Sequence, residues 1–283
     1  MIQNGVILAP QVKLETFRNL FIELTSNTCD LKCKHCYINQ SNKKEKDFIS
    51  LETIISALKD LKNEKIEMIY FTGTEPMLHP EFNAILRLCL KFTPVTIFTN
   101  AMCINEKKAR FLNKVENEGN NPIIFRISID HFDERKNDDI RGRGAFRKAI
   151  HAIAALIKYD FNPYINITNY YNIPEEELIK NFLIILNNLD IDLQQENLII
   201  NPWFDKNIKS DCLNGNSINT DYTILDCASS RTLNKYGVYS CPFLASDHRG
   251  RMGANFKDFS RKTYLESQMC AQCQKYNRKI FVN

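Results

Sequence analysis

The sequence predicts an α/β protein in which a parallel sheet is followed by a smaller module rich in cysteine. Between Leu20 and about Pro202, short β-rich runs alternate about six times with stretches of helical periodicity. The β-rich runs are almost continuously apolar, as expected for parallel strands covered on both faces. From Trp203 to Asp226 the composition changes to Asn, Asp, Ser, Lys and Gly, which predicts an irregular linker before the last part of the chain.

Apolar runs place the strands, and apolar residues three or four positions apart place the helices. The predicted strands are Leu20–Thr25, Ile66–Phe71, Val95–Thr99, Ile123–Ile129, Tyr164–Thr168 and Leu198–Ile200. Helical stripes begin at Leu51, Phe82, Phe146 and Leu178, and Ser50 is placed to cap the first of these helices. Because ligands of parallel sheets bind at the carboxyl ends of the strands, polar residues that follow the strands are candidate site residues.

Composition excludes several classes of protein. The 283 residues are 44% hydrophobic and 25% charged, as in an ordinary globular protein, and the net charge of +4 is too small to indicate a nucleic-acid surface. The sequence has no apolar run of about 18 residues and no secretory signal at its start, so we expect a cytoplasmic protein without a membrane partner. Its ten cysteines then predict metal sites rather than disulfides.

The most informative stretch holds Cys29, Cys33 and Cys36 at the spacing Cys-x3-Cys-x2-Cys, directly after the first predicted strand. Three thiolates can hold three irons of a cubic iron–sulfur cluster and leave the fourth iron open. An open metal position is typical of a catalytic site. The alternative is half of a zinc site with His35 as a further ligand, although zinc ligands more often come as two pairs.

A second motif follows the second strand, in Phe71-Thr72-Gly73-Thr74-Glu75-Pro76. A glycine turn lets the backbone approach a ligand, and Glu75 offers an acceptor for an ammonium group. Together with the three cysteines, this stretch resembles the radical S-adenosylmethionine (SAM) superfamily, whose Gly-Gly-Glu-Pro motif binds the SAM amino group. Thr74 replaces the second glycine, which requires that Thr74 has a negative φ. The resemblance assigns Gly73, Thr74, Glu75 and Pro76 to SAM binding.

The superfamily resemblance implies a partial (β/α)6 TIM-like barrel that binds SAM and a 4Fe–4S cluster. In that family, one electron from the cluster cleaves SAM to methionine and a 5′-deoxyadenosyl radical, which abstracts hydrogen from the substrate. The electron comes from a cellular donor such as flavodoxin or ferredoxin. No nucleic-acid partner is expected.

Further cofactor contacts follow from the same resemblance. Ser128 and Arg141 would contact the SAM carboxylate or ribose, since a guanidinium can bind a carboxylate bidentately. Strand alternation puts Asp130 on the same face as Ser128. Ser128-Ile129-Asp130 is similar to the Ser-x-Asp signature of SPASM/twitch-type members, and this resemblance implies that Asp130 faces the substrate; a local salt bridge is the alternative. The turn at Asn100 is similar to a Thr-Asn-Gly turn of the family, with Ala in place of Gly. The remaining candidates are Tyr37 for the adenine, Asn166 for the polar edge of SAM, and His131, Trp203 and Asp205 for the substrate pocket.

The C-terminal part contains Cys227, Cys241, Cys270 and Cys273. Four cysteines can fully ligate a second cluster or a tetrahedral zinc ion. Their pattern is similar to that of the twitch domain, the short form of the SPASM domain, and this implies one auxiliary 4Fe–4S cluster. A structural zinc ion is the alternative. The expected division is residues 1–202 for the barrel, 203–226 for the linker and 227–283 for the auxiliary module.

The expected reaction is an epimerisation, oxidation or rearrangement of a small polar substrate that resembles a sugar or aminocyclitol. About twenty residues precede the first strand, too few for the leader-peptide-binding domain of many peptide-modifying relatives. A peptide substrate is the alternative. By resemblance to twitch-type epimerases, Cys212 is a candidate hydrogen-atom donor, with an inert loop thiol as the alternative. A non-catalytic iron–sulfur or zinc protein is the second alternative, and it would not need the SAM motifs.

Overall fold

A computed structural model describes residues 9–38, 47–205, 221–276 and 280–281, together with two short strands near the N-terminus. Its strands are β1 (Ile2–Gln3), β2 (Val6–Ile7), β3 (Gln11–Lys13), β4 (Asn19–Thr25), β5 (Met68–Gly73), β6 (Val95–Thr99), β7 (Ile123–Ser128), β8 (Tyr164–Asn169), β9 (Leu198–Pro202), β10 (Ser230–Asn234), β11 (Gly237–Tyr239), β12 (Arg251–Gly253) and β13 (Lys262–Tyr264). Its helices are α1 (Leu51–Asp60), α2 (Phe82–Leu90), α3 (Glu106–Asn117), α4 (Glu134–Arg141), α5 (Ala145–Lys158), α6 (Glu175–Asn188) and α7 (Gln268–Tyr276).

A nine-stranded sheet organises the molecule in the order β12-β11-β10-β4-β5-β6-β7-β8-β9. Strands β4 to β9 are parallel and follow one another in sequence order, as the strand–helix alternation predicts. The order is linear, with β12 and β9 at its edges, so the sheet of the described residues is open and does not close into a complete barrel. The predicted parallel α/β fold is therefore confirmed.

Burial on both faces explains why the strands are continuously apolar. In β4, Leu20 and Ile22 join the large core cluster together with buried residues of the helices. Phe21 points to the other face, where it stacks on Tyr70 with ring centroids 4.5 Å apart and meets the edge of Phe281. Alternate residues of one strand thus pack into two separate apolar clusters.

Helices with a clear apolar stripe were predicted, and those without one were missed. Ser50 caps α1 as expected, because its Oγ accepts a hydrogen bond from the backbone N–H of Thr53 at 3.2 Å. The missed helices include α4, whose sequence is mostly charged and polar and which buries little apolar surface beyond Ile140. Its start is marked by Asp133, whose side chain accepts from the N–H of Lys136. The capping residue Asp133 was therefore the feature of the sequence that could have predicted the start of α4.

The C-terminal residues extend the same sheet. Strand β10 pairs in parallel with β4, and β11 pairs antiparallel with β10 to form a hairpin. Ile280 and Phe281 then return to the aromatic cluster, and their backbone N–H groups donate to Oδ2 of Asp226 at 2.9 and 3.1 Å. Within the residues described, no helix is long and apolar enough to cross a membrane.

Ala101 adopts the left-handed conformation, with φ of 65°, at the position where the family turn has glycine. This conformation costs about 1–2 kcal/mol for a residue with a Cβ. Ala101→Gly relieves that cost but loses a buried methyl group, so we expect the free energy of unfolding to change by less than about 1 kcal/mol. Ala152 is equally buried within α5, and Ala152→Gly should cost about 2 kcal/mol through helix propensity and lost burial. Urea denaturation of both variants tests this; equal losses would contradict the strain at Ala101.

Candidate functional site

A cavity of about 180 Å³ lies at the carboxyl ends of the parallel strands. It is lined by most residues predicted for SAM and its cluster: Cys29, Cys33, Cys36, Tyr37, Gly73, Thr74, Glu75, Asn100, Ser128, Arg141 and Asn166. Most of them follow or end a parallel strand, whereas Asn166 lies within β8 and Arg141 ends α4. Pro76, predicted with them, is buried in the first position of a short 3-10 helix and does not line the cavity.

The three cysteines of the first loop are free thiols that share this cavity. Burial raises the pKa of Cys29 to about 12 and also raises that of Cys33, so metal binding there would release protons. Sγ of Cys29 accepts from the N–H of Leu31 at 3.4 Å and from Nδ2 of Asn100 at 3.7 Å. Such N–H donors tune the potential of an iron–sulfur cluster. The donor set therefore fits a cluster held by three thiolates.

A buried ion pair lies behind this loop. Oδ2 of Asp130 is 2.5 Å from Nε of Arg141 and 2.5 Å from Nε2 of His35, and Oδ1 accepts from Nη2 of Arg141 at 3.0 Å. The side chain of Asp130 is fully buried and does not line the cavity. Burial opposes ionisation, but Arg141 and His35 hold the pKa of Asp130 well below its usual range.

The position of Asp130 therefore differs from the prediction that it faces the substrate, and the local salt bridge considered as the alternative is the arrangement found. The physical reason is that β7 ends at Ser128, so strand alternation does not extend to Asp130. His35, the candidate zinc ligand, is engaged by Asp130 through Nε2. Arg141 still lines the cavity, but part of its guanidinium is committed to Asp130.

Glu75 joins the carboxyl ends of β5 and β6. Its Oε1 accepts from the N–H of Met77 at 3.1 Å and from Oγ1 of Thr99 at 2.8 Å, and its Oε2 accepts from the N–H of Asn100 at 2.8 Å. Burial raises the pKa of Glu75 to about 7, although these donors act in the opposite direction. A carboxylate has about four acceptor positions, so one stays available for an ammonium group.

Gly73 and Thr74 act on the loop that precedes Cys29. Gly73 has φ of 112°, and a Cβ there would lie 2.2 Å from the carbonyl oxygen of Thr25. This glycine therefore permits close approach to the end of β4 rather than to a ligand. Thr74 has no positive φ, as its substitution for glycine required. Its Oγ1 accepts from the N–H of Thr28 at 2.9 Å and donates to the carbonyl of Thr28 at 2.5 Å, which ties down the residue before Cys29.

The other predicted residues divide into those that line the cavity and those that do not. Oδ1 of Asn166 already accepts from Nη2 of Arg126 at 2.9 Å and from Nδ2 of Asn201 at 3.2 Å. Trp203 lines the cavity, whereas His131 and Asp205 do not. Cys212 lies outside the described residues, and its role as hydrogen-atom donor stays a prediction.

Two residues that the sequence reasoning missed, Phe243 and Phe281, form part of the cavity wall. Their rings lie 4.7 Å apart, and that of Phe243 is 5.0 Å from Tyr37. Both also line a second, smaller cavity of about 30 Å³, and so they separate the two. No local motif marks them, because they reach the site only through the folding of the C-terminal part.

The second cavity brings together Cys227, Cys241, Cys270 and Cys273. All four are free thiols, and burial raises the pKa of Cys227 to about 12 and those of Cys241 and Cys273 well above the usual value. Four converging thiols fit a cluster or a tetrahedral zinc ion. In the described ranges, no group of three or more His, Cys, Asp or Glu side chains is already arranged around a single metal position.

Comparison with known proteins agrees with this geometry. The family model of the radical SAM superfamily matches residues 24–182. The subtilosin biosynthesis protein AlbA of Bacillus subtilis is 31% identical over 136 residues, which are 47% of this chain and 29% of AlbA. The chain therefore spans less than a third of that relative.

Solved structures share the fold. Native anSMEcpe with bound AdoMet (S-adenosylmethionine) has a TM-score of 0.63 at 21% identity, over 93% of this chain and 84% of that one. Streptococcus suis SuiB bound to its precursor peptide SuiA has a TM-score of 0.63 at 16% identity, over 93% of this chain and 65% of that one. The family match covers more than half of the chain and includes Cys29, Cys33, Cys36 and Glu75. The chain therefore belongs to the radical SAM superfamily, and its cofactors are S-adenosylmethionine and a 4Fe–4S cluster.

Proposed function

We propose that this radical SAM enzyme modifies a peptide, with hydrogen abstraction at the first cavity and an auxiliary 4Fe–4S cluster at the four C-terminal cysteines. The observation that carries the proposal is the shared cavity, whose lining includes three thiols, Glu75, Ser128 and Arg141 together with Trp203, Phe243 and Phe281. Bound SAM and its cluster supply electron transfer and hydrogen abstraction, and the residues of the chain orient SAM and exclude water.

The relatives favour a peptide over the sugar-like substrate expected from the sequence. AlbA is named for bacteriocin biosynthesis, SuiB was solved with a precursor peptide, and anSMEcpe was also solved with bound peptides. The reaction class, whether epimerisation, oxidation or another rearrangement, belongs to the proposal, as does an electron donor such as flavodoxin or ferredoxin.

Each side chain has a defined part in this proposal. Cys29, Cys33 and Cys36 bind the cluster, and the free acceptor position of Glu75 receives the SAM ammonium group. Ser128 and the uncommitted N–H donors of Arg141 bind the SAM carboxylate or ribose. Asp130 acts indirectly, since it orients Arg141 and holds His35 within the cysteine loop. We further propose residues 1–202 as the barrel, 203–226 as the linker and 227–283 as the auxiliary module.

Anaerobic reconstitution followed by a dithionite-plus-SAM assay for 5′-deoxyadenosine tests the radical chemistry. We expect cleavage by the native sequence and at least a 100-fold loss in Cys33→Ala, together with the loss of about four irons per chain. Cys89→Ala is the matched control, because Cys89 is a fully buried core thiol of α2 and should leave the iron content unchanged. Bound iron without SAM cleavage in the native sequence would instead support a non-catalytic iron–sulfur protein.

The substrate class is tested on the reconstituted enzyme with a degenerate synthetic peptide pool and with a panel of aminocyclitols and sugars. We expect the peptide pool to stimulate 5′-deoxyadenosine formation and to yield products changed in mass or stereochemistry. Stimulation by the aminocyclitols or sugars alone would reject the peptide and restore the small polar substrate.

A further inference from the structure

Arg231, on β10, is a fully buried arginine next to the four-cysteine cavity. Its side chain is 0% exposed and is the largest of the fully buried ones. Nη1 donates to the carbonyl oxygens of Cys227 and Ser230, both at 2.7 Å, and Nη2 donates to that of Arg261 at 2.8 Å. The guanidinium is therefore hydrogen-bonded to the backbone of Cys227, a proposed metal ligand.

The charge of Arg231 has no carboxylate partner in the described part of the chain. All its hydrogen bonds go to neutral carbonyl groups, and Nε has no partner there. Its neighbour Arg261 differs, because its Nη1 forms an ion pair with Oε1 of Glu64 at 2.7 Å.

A buried, unpaired cation is strongly unfavourable unless an opposite charge compensates it. Protonated thiols are uncharged, so the cysteines of the metal-free site do not compensate the charge of Arg231. Once the four cysteines bind a metal they are thiolates, and the ligated site carries a net negative charge whether it holds a cluster or zinc. The arrangement of Arg231 is thus costly in the metal-free protein and favourable in the metal-loaded one.

We propose that Arg231 is the counter-cation of the four-cysteine site, which favours metal retention there and raises the reduction potential of a cluster bound by these cysteines. It is a positioning and tuning residue and not a metal ligand. This inference rests on the auxiliary site of the proposed function. Its physical basis is that a nearby positive charge stabilises the more negative, reduced form of a cluster.

The experiment uses the full chain with Cys29, Cys33 and Cys36 replaced by alanine, so that only the second site can bind metal. This parent is reconstituted with iron and sulfide, or with Zn²⁺ alone, and compared with Arg231→Met, Arg231→Lys and the control Arg261→Met. In Arg231→Met we expect about tenfold faster loss of metal to a chelator. We also expect the ratio of reduced to oxidised cluster at fixed potential to fall about tenfold, a 59 mV shift for one electron. Arg231→Lys should recover part of both changes, and Arg261→Met should show neither.

The reduction potential of the bound cluster distinguishes an electrostatic role of Arg231 from a purely structural one. A purely structural role of Arg231, through its three carbonyl partners, would lower occupancy in Arg231→Met and leave the potential of the clusters that form unchanged; that result overturns the inference. If the parent holds zinc only, equal retention by parent and Arg231→Met overturns it. If the parent binds neither iron nor zinc, the proposed auxiliary site fails, and this inference fails with it. Metal binding that is insensitive to Arg231→Met rejects the inference alone.

Discussion

Asp130→Asn is expected to lower the free energy of unfolding by about 3–5 kcal/mol, the range for breaking a buried ion pair. The replacement leaves the buried guanidinium of Arg141 without its carboxylate partner and weakens the contact of the same carboxylate with His35. Because His35 lies between Cys33 and Cys36, the iron content of the first site should fall as well. Urea denaturation of the metal-free protein and iron analysis after reconstitution measure the two effects.

A surface pair provides the control for Asp130. Asp139 pairs with Lys34 of the same loop at 2.6 Å, but both side chains are more than half exposed, so Asp139→Asn should cost less than about 1 kcal/mol. The pH dependence has a defined sign. Since the folded-state pKa of Asp130 is lowered, its stabilisation is present above the unfolded value of 3.8 and is lost as pH falls below it. Equal losses in Asp130→Asn and Asp139→Asn would contradict a buried pair that supports the cysteine loop.

Glu75→Gln is expected to weaken SAM binding about 10- to 100-fold at pH 8. A charge-assisted hydrogen bond contributes about 1.5–3 kcal/mol, and each 1.4 kcal/mol is a factor of ten in affinity. Glutamine also brings an N–H group toward donors that now serve the carboxylate, at Met77, Thr99 and Asn100. Calorimetric titration of the reconstituted enzyme with SAM measures the dissociation constant.

The pH dependence of SAM binding identifies the responsible group. Because the pKa of free Glu75 is about 7, its carboxylate is protonated at lower pH and binds an ammonium group less well. SAM affinity should therefore decrease as pH falls below 7 in the native sequence and should be nearly independent of pH in Glu75→Gln. Glu23 is a matched control, since its pKa is also raised by burial to about 7 but its side chain does not line the cavity. A pH dependence that persists in Glu75→Gln and disappears in Glu23→Gln would contradict this assignment.

Many of the residues that line the first cavity could be predicted because each motif is contiguous in sequence. Cys29, Cys33 and Cys36 are close in the chain, and the strand that precedes them delivers all three to one edge of the sheet. Glu75 and Asn100 follow neighbouring parallel strands, so they meet at that edge whatever the details of packing. The four C-terminal cysteines were also predicted as a group, and the structure places them around one cavity.

Helices that lack a periodic apolar stripe could not be predicted in this way, and neither could ion pairs between residues that are distant in sequence. Helix α4 carries few apolar residues, and its last residue, Arg141, meets Asp130 only because the chain folds back after β7. Asp130 and His35 are separated by 95 positions, and Arg126 reaches the carbonyl of Phe281 across 155. Short-range periodicity carries no information about such pairs.

The sequence by itself determined the parallel α/β architecture, the candidate cysteine ligands and the turn that carries Glu75, since apolar period and residue spacing are local properties of the chain. Only the tertiary structure decided that Asp130 is committed to Arg141 and His35 and that Phe243 and Phe281 separate the two cavities. It also decided that Arg231 is buried without a carboxylate partner among the described residues. The physical reason is that burial and charge pairing depend on which distant segments pack together.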